Sequence, residues 1–189
     1  MTNSIWSALL AKDQALFTLI NGRWTHSILD LILPWCRNAS NWYPFYAVLL
    51  VYLAWSYASG RTKTASAHRL HRRLAAFLLV VLFVGPGLIV NGVWKEHWGR
   101  ARPFETQNFG GEHQYTPPMQ PAQECDTNCS FVSGHAAMGF YWLSLAWVLR
   151  RRYWLVVGLV LGSFVGLGRI LQGNHFLSDI VFSFWTVYF

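Results

Sequence analysis

An uncharged run at residues 74–94 constrains this sequence more than any other feature. A helix of about 20 residues crosses the hydrocarbon core of a bilayer, and this run is long enough to do so without placing a charge in lipid. A second uncharged run covers residues 41–60, and three more apolar stretches cover residues 136–149, 153–168 and 170–189. The pattern predicts five clear membrane spans.

The composition of the chain favours the same class of protein. Hydrophobic residues make up 53% of the sequence and charged residues only 12%, about half the charged fraction of a soluble domain. So few polar residues cannot cover so many apolar helices in water. We therefore expect an all-α fold, a polytopic transmembrane helix bundle that forms a single domain over residues 1–189.

The two ends of the chain are less regular. Residues 4–20 carry Lys12 and Asp13, which predicts an amphipathic helix lying in the membrane interface. Residues 27–36 predict a short first span, which brings the expected total to six, although the pattern leaves its limits open. The first 40 residues lack the basic start and cleavage site of a signal peptide. The apolar run that reaches Phe189 suggests a short or truncated C-terminus.

Basic residues adjoin the spans in two short connections, residues 61–73 and 150–152. Such clusters favour the cytoplasmic side of a membrane, and their position beside spans argues against a nucleic-acid surface. With both clusters inside, residues 99–132 form an extracytoplasmic loop. Three polar motifs, described next, then meet at that same outer face.

The first motif follows the 74–94 run and contains Lys95, Arg102 and Pro103. The two cations are seven residues apart, about two helical turns, so that we expect them to share one face of a helix that the proline ends. Two cations on one face can neutralise a phosphate, and arginine offers it a fork of donors. The alternative is that both side chains simply extend to the membrane–water interface.

The second motif is Ser133, Gly134 and His135, directly before an apolar helix. Ser133 is predicted to cap the helix, whose first N–H groups are suited to binding an anion that the glycine allows to come close. A histidine at such a site can protonate a leaving oxygen. The alternative is an ordinary helix cap beside an interfacial histidine.

The third motif contains Arg169, His175 and Asp179. The imidazole and the carboxylate are four residues apart and would face the same way on a helix. A carboxylate on one ring nitrogen fixes the tautomer and leaves the other nitrogen free to attack. A charge in an apolar segment indicates function by default, and the structural alternative is an ion pair between helices.

Two cysteines, Cys125 and Cys129, lie in the predicted outer loop. A disulfide is permitted in an extracytoplasmic segment, and the short separation can close a small loop. The alternative is a pair of free thiols. A zinc site is less favoured, because no nearby cysteine or histidine completes a ligand set.

The three motifs, in this order, resemble the signature of the type 2 phosphatidic acid phosphatase (PAP2) superfamily. That signature is lysine, six residues, Arg-Pro; then Pro-Ser-Gly-His; then Ser-Arg, five residues, histidine, three residues, aspartate. The resemblance covers residues 95–179 and, through the span pattern, most of the chain. Val132 stands where proline is usual and Gly168 where serine is usual. Neither departure removes a catalytic side chain, so we expect activity to survive.

The resemblance implies a phosphoric monoester hydrolase that needs no metal and no cofactor. His175 would attack phosphorus and form a phosphohistidine, Asp179 would orient it, and His135 would protonate the leaving group and then activate water. The groups that would hold the phosphate oxygens are Lys95, Arg102, Arg169, Ser133 and the Gly134 N–H. Three cations can fill the role that magnesium has in other phosphoryl-transfer enzymes.

The resemblance also implies a lipid phosphate substrate, met at the outer face of a bacterial inner membrane. Candidates are phosphatidylglycerol phosphate, undecaprenyl pyrophosphate, phosphatidic acid and lipid A phosphate. Residues 99–103 and 129–134 look similar to those of bacterial lipid A phosphatases, which gives that lipid a weak preference. Haloperoxidases that share the signature are soluble, and the spans argue against them. Arg100 and His97 have no role in the signature. They would either contact the substrate head group or lie at the membrane interface, and we favour the interface.

Two alternatives to a hydrolase remain open. One is a lipid phosphotransferase that uses the same chemistry on a lipid acceptor. The other is a lipid-binding or transport protein with an anion site and no turnover. A transporter has no need of the His175–Asp179 pair, so the sequence favours an enzyme.

Overall fold

The protein is seen here as a computed structural model, which describes residues 2–23 and 65–189 together with a few helical residues between 47 and 58. Over these residues the chain is helical, and its β-type pairing is limited to an isolated bridge between Thr106 and His113. The predicted span at residues 27–36 and most of that at 41–60 lie outside the described residues. The all-α prediction is confirmed for the part of the chain that the structure describes.

Six α-helices carry the described fold. Helix α1 is Thr2–Arg23, and α2 is Ala65–Leu82, which continues as the π-helical segment Phe83–Trp94 and ends in the turn Lys95–His97. Helix α3, Gly134–Phe140, runs through the 3₁₀ turn Tyr141–Leu143 into α4, Ser144–Leu149. Helices α5 and α6 are Tyr153–Leu171 and Leu177–Tyr188.

Two of these helical stretches, Arg72–His97 and Tyr153–Leu171, are long and apolar enough to cross a membrane. Large apolar side chains stand exposed along both, among them Phe77, Val80, Val156 and Val160. An exposed apolar helix face of this kind is suited to lipid. Among the described residues the structure therefore supports two of the predicted spans by length and composition.

Helix α3 packs closely against α5 through facing glycines. A Cβ atom added at Gly139 would come within 2.7 Å of the Cα of Gly162, and one added at Gly162 would strike the ring of Phe140. Only glycine lets the two backbones approach to this distance. The contact fixes the start of α3 beside the end of α5, where the second and third motifs lie.

Two helix ends differ from their prediction. The helix that carries Lys95 ends at His97, and Gly99 then adopts a left-handed conformation with φ of 65°. Lys95 and Arg102 therefore do not share a helix face, and the expectation that Pro103 ends this helix is wrong. Similarly, the predicted span at 170–189 is interrupted after Leu171, where Gly173 has φ of 72°, and α6 begins only at Leu177.

Helix α1 is attached to the end of the bundle at which the motifs meet. The Asn21 side-chain amide donates to the carbonyls of Ile170 and Leu171, at 3.0 and 2.8 Å, and so caps the end of α5. Eight residues earlier, Asp13 accepts a hydrogen bond of 3.0 Å from the backbone N–H of Ser178, in the first turn of α6. This helix is therefore packed on the protein along its second half.

Candidate active site

The two cations of the first motif meet at one residue of the loop, Asn128. The ammonium of Lys95 donates to the Asn128 side-chain oxygen at 2.8 Å, and the guanidinium of Arg102 donates to its backbone carbonyl at 2.7 Å. Arg102 donates a second bond, of 3.0 Å, to the Asn174 side chain. Both cations are almost fully buried. The two cations are thus brought together by a turn of the backbone and a shared hydrogen-bond acceptor, and not by a common helix face as predicted.

Asn128 belongs to a small loop that a disulfide between Cys125 and Cys129 closes. Its backbone is left-handed, with φ of 51°, a conformation that asparagine adopts more readily than most residues. The next residue is tied to the end of α2, because the Cys129 N–H donates to the Lys95 carbonyl at 3.2 Å. The disulfide loop therefore packs directly on the cation that it holds.

The second motif begins α3 as predicted. Ser133 is the N-cap residue, and its side chain accepts from the Ala136 N–H at 3.4 Å, which confirms the predicted cap. A Cβ atom added at Gly134 would lie 2.8 Å from the Asn91 side-chain oxygen and 3.5 Å from the Cε of Lys95. The start of α3 therefore lies close to the lysine of the first motif, and a larger residue at this position would require the Asn91 side chain to move.

The third motif does not form the predicted pair of side chains on one helix face. His175 precedes α6 in a non-helical turn, and Asp179 occupies the third position of the helix, where it accepts from the Phe176 N–H at 2.9 Å. The two side chains still approach each other, with 3.5 Å between His175 Nδ1 and Asp179 Oδ2. Both are completely buried. A break in the helix, not its periodicity, brings the carboxylate to the imidazole.

The imidazole of His175 is buried and neutral. Neither of its ring nitrogens has a hydrogen-bond partner within the described residues. Burial lowers its pKa, and although the Asp179 carboxylate acts in the opposite direction, the net effect keeps the imidazole unprotonated. Catalytic hydrogen bonds are often long before substrate binds, so a separation of 3.5 Å is compatible with a hydrogen bond that forms when substrate is present.

The remaining motif residues lie around the same point. His135 is half-buried, and its Nε2 has no hydrogen-bond partner in the described part of the chain. It interacts electrostatically with Arg169, His175 and Lys95 together. Arg169, in the last turn of α5, is nearly buried and donates to the Gln172 side chain at 2.9 Å. The side chains of all three motifs are thus gathered at one end of the bundle.

Three further residues support the carboxylate, and the sequence motifs name none of them. Ser130 donates to Asp179 Oδ2 at 2.6 Å, and Arg100 donates to Oδ1 at 2.5 Å. Arg100 in turn forms an ion pair of 2.9 Å with Asp13 of α1. The expectation that Arg100 lies at the membrane interface is therefore wrong, because this side chain is wholly buried. His97, by contrast, is exposed at the end of its helix.

The sequence pattern did not point to this network. Asp13 stands beside Lys12 in α1, and the two charges together predicted only an amphipathic helix in the membrane interface. Nothing in the spacing of Arg100 and Arg102, two residues apart, distinguishes the arginine that holds Asp179 from the arginine beside Lys95. No cluster of three or more metal-ligating side chains occurs among the residues that the structure describes.

Comparison with known proteins places these motifs in a family. Curated relatives include the lipid A 4'-phosphatase of Francisella tularensis subsp. novicida, 41% identical over 129 residues, which cover 62% of this chain and 58% of that protein. They also include the lipid A 4'-phosphatase of Rhizobium leguminosarum, 42% identical over 106 residues, or 54% of this chain and 46% of that protein. The chain thus spans about half the length of the curated relatives it matches.

No solved structure shows significant similarity to this chain. The sequence profile of the PAP2 superfamily matches residues 73–188, well over half of the protein and all three motifs. The resemblance expected from the motifs is therefore confirmed: this chain belongs to the PAP2 superfamily.

Proposed function

We propose that this protein is a membrane lipid phosphatase that removes phosphate from a lipid by way of a phosphohistidine on His175. The environment of His175 carries the proposal. The ring is buried and neutral, lies 3.5 Å from a carboxylate that three donors hold, and shares its surroundings with cationic side chains. A positioned base of this kind, beside cations that gather the phosphate oxygens, is suited to nucleophilic attack on phosphorus.

In the first step, Nε2 of His175 attacks phosphorus and the bond to the lipid oxygen breaks. Asp179 stabilises the positive charge that the ring acquires, and Lys95, Arg102 and Arg169 stabilise the charge on the phosphate oxygens. His135 gives a proton to the departing alkoxide. A bound phosphate dianion favours the protonated form of that histidine, since an opposite charge nearby stabilises the cation.

In the second step, water attacks the phosphohistidine. His135, now neutral, takes a proton from the water as the new P–O bond forms and the N–P bond breaks. Inorganic phosphate leaves, and His175 is free again. Three fixed cations stabilise the phosphate charge in both steps, so we expect turnover without added magnesium.

The relatives favour a lipid A phosphate as the substrate, because both proteins described above are named lipid A 4'-phosphatases. The groups assembled here contact phosphate and not the lipid body, so the chemistry also suits phosphatidic acid, phosphatidylglycerol phosphate and undecaprenyl pyrophosphate. Lipid A is a phosphorylated lipid, and the exposed apolar side chains on α2 and α5 suit a site reached from the membrane.

We further propose a six-span bundle in a bacterial inner membrane, with the site facing the periplasm. The basic residues 150–152 lie between α4 and α5, at the opposite ends of these helices from the motifs. The preference of basic connections for the cytoplasm then directs the motifs outward.

The proposal is tested by assaying phosphate release from a panel of lipid phosphates in detergent with EDTA present, comparing wild type, His175→Ala and His97→Ala. We expect His175→Ala to lose release by about a thousandfold or more, as removal of a nucleophile does, while the exposed His97 gives a matched histidine control. Rapid quenching should trap an acid-labile phosphoenzyme in wild type and none in His175→Ala.

Retained phosphate release in folded His175→Ala would remove the nucleophile from the proposal. Binding of the lipid phosphates by wild type, with no phosphate released from any of them, would favour the lipid-binding or transport alternative. Transfer of the phosphate to a second lipid, in place of water, would identify a phosphotransferase.

A further inference from the structure

Arg100 is completely buried, and its donors are directed at protein groups. Its two ion pairs are with Asp13 at 2.9 Å and with Asp179 at 2.5 Å. It also donates to the Thr116 carbonyl and the Ser178 hydroxyl, both at 2.9 Å, and it stacks over the Phe176 ring at 4.3 Å. A guanidinium bound in this way has no donor in reserve for a phosphate, so a role in substrate binding does not explain it.

Asp13 is the second carboxylate on this guanidinium, and it is held as firmly as the first. One of its oxygens accepts from the Ser178 N–H at 3.0 Å, and the other accepts from the Ser178 hydroxyl at 2.7 Å and from Arg100. The Tyr115 hydroxyl also donates to it, at 3.3 Å. Asp13 thus joins α1, the outer loop and the start of α6 at one buried point.

We propose that Asp13 is a positioning residue for the reaction, acting through Arg100 to hold the Asp179 carboxylate against His175. This inference rests on the proposed function, since it concerns the geometry of the proposed nucleophile. The guanidinium lies between two carboxylates, and its position is set by the balance of the two attractions. Without the charge of Asp13, Arg100 is drawn toward Asp179, and the carboxylate turns with it, away from the imidazole.

The structure also offers a way to distinguish the positioning role of Asp13 from a general contribution to the docking of α1. Asn21 anchors the same helix to the same end of the bundle, through its two hydrogen bonds to the end of α5. In the described contacts it touches neither Arg100 nor Asp179. An Asn21→Ala variant therefore loosens α1 while leaving the chain of charges intact, and it is a matched control for Asp13→Asn.

The test measures kcat and KM for a lipid phosphate in Asp13→Asn, Asn21→Ala and wild type, together with the thermal protection that inorganic phosphate gives each protein. We expect kcat of Asp13→Asn to fall by about 10- to 100-fold, as for the loss of a hydrogen bond between charged groups. KM and phosphate protection should stay within about threefold, because Asp13 contacts none of the phosphate-binding cations. Asn21→Ala should melt earlier and keep its kcat, and Asp13→Glu should recover most of the activity.

Wild-type kcat in Asp13→Asn would overturn the inference. An equal fall of kcat in Asn21→Ala and Asp13→Asn would also overturn it, since the effect would then be the docking of α1. Should Asp13→Asn fail to fold, Arg100→Lys decides the question. Lysine keeps the charge but cannot bridge two carboxylates, so kcat must fall with KM unchanged, and an undiminished kcat refutes the role. His175→Ala in the same assay tells the two failures apart. If that variant stays active, the proposed function fails and this inference fails with it. If it is inactive while Asp13→Asn keeps its kcat, only this inference fails.

Discussion

The contact of Asn128 with two cations gives a prediction that separates substrate binding from chemistry. Asn128→Gly removes the side-chain oxygen that holds Lys95 at 2.8 Å, but it keeps the backbone carbonyl that holds Arg102. Glycine also accepts the left-handed conformation of this position without strain. The variant therefore changes one contact of Lys95, a proposed phosphate-binding cation, and leaves the loop its shape.

The size of the effect follows from what the contact does. Lys95 has a flexible four-carbon side chain, and fixing such a chain costs about 1.5–2 kcal/mol of conformational entropy. In wild type, Asn128 fixes the ammonium before substrate arrives. In Asn128→Gly, the same cost falls on phosphate binding, so we expect KM to rise by about 10- to 30-fold. We expect kcat to change by less than about threefold, because Lys95 is equally ordered once phosphate is bound.

The assay is steady-state phosphate release from a lipid phosphate in mixed micelles, with lipid varied at constant surface dilution. Asn128→Ala is a companion variant that removes the same oxygen and adds the cost of a left-handed alanine, about 1–2 kcal/mol. It should match Asn128→Gly in KM and melt at a lower temperature. Asn108→Gly, at an exposed position in the same outer loop, is the control and should leave both constants unchanged.

A wild-type KM in folded Asn128→Gly would refute this reasoning. It would mean that the buried surroundings of Lys95 already fix its side chain without the asparagine. An equal loss of kcat would refute it in a different way, by showing that Asn128 acts in the transition state and not in presenting the cation.

Two more predictions concern the loop and the titration of the site. Reduction of the Cys125–Cys129 disulfide should raise KM in wild type, because it releases the loop that presents Asn128, and it should have little further effect in Asn128→Gly. Activity assays with and without reductant measure the change in KM. Equal sensitivity of the two proteins to reductant would contradict this prediction. Because burial lowers the pKa of His175 below the ordinary value of about 6.5, the unfolded chain binds a proton there that the folded protein does not, so stability should fall as pH drops below about 6.5. His175→Gln should lessen that fall in thermal melts, and an identical pH dependence in the two proteins would show that His175 is not buried as a neutral ring.

The motif residues could be predicted from the sequence because each has a chemical reason to be where it is. Ser133 caps a helix, Gly134 leaves room for a close approach, and a histidine four residues before an aspartate indicates a dyad. The route by which the side chains meet could not be predicted in the same way. Helical periodicity was expected to align Lys95 with Arg102, whereas a left-handed Gly99 and a shared acceptor bring them together.

The residues that support Asp179 and Lys95 could not be predicted from the sequence, for a related reason. Asp13 and Arg100 are 87 residues apart, and Asn128 meets Lys95 across 33 residues. No local pattern links positions so far apart. Asp13 stands beside Lys12 in α1, so the sequence does not show that this carboxylate pairs with a distant arginine, or which of several arginines that is.

The identity of the acceptors separates the arginine that supports the Asp179 carboxylate from the cations that are proposed to bind phosphate. Arg100 bonds to two carboxylates, which more than neutralise it and leave no charge for a substrate. In the contacts of the described residues, Lys95 and Arg102 donate to neutral oxygens, an amide and a backbone carbonyl of Asn128 among them. Neutral acceptors fix a cation without cancelling its charge, so within the described residues neither of these two cations is held in an ion pair, and both can still attract an anion. Since burying a cation without an ion-pair partner is costly, this arrangement supports the proposed binding of a phosphate anion beside them. By this criterion, Arg102→Gln should weaken binding of inorganic phosphate, whereas Arg100→Lys should not.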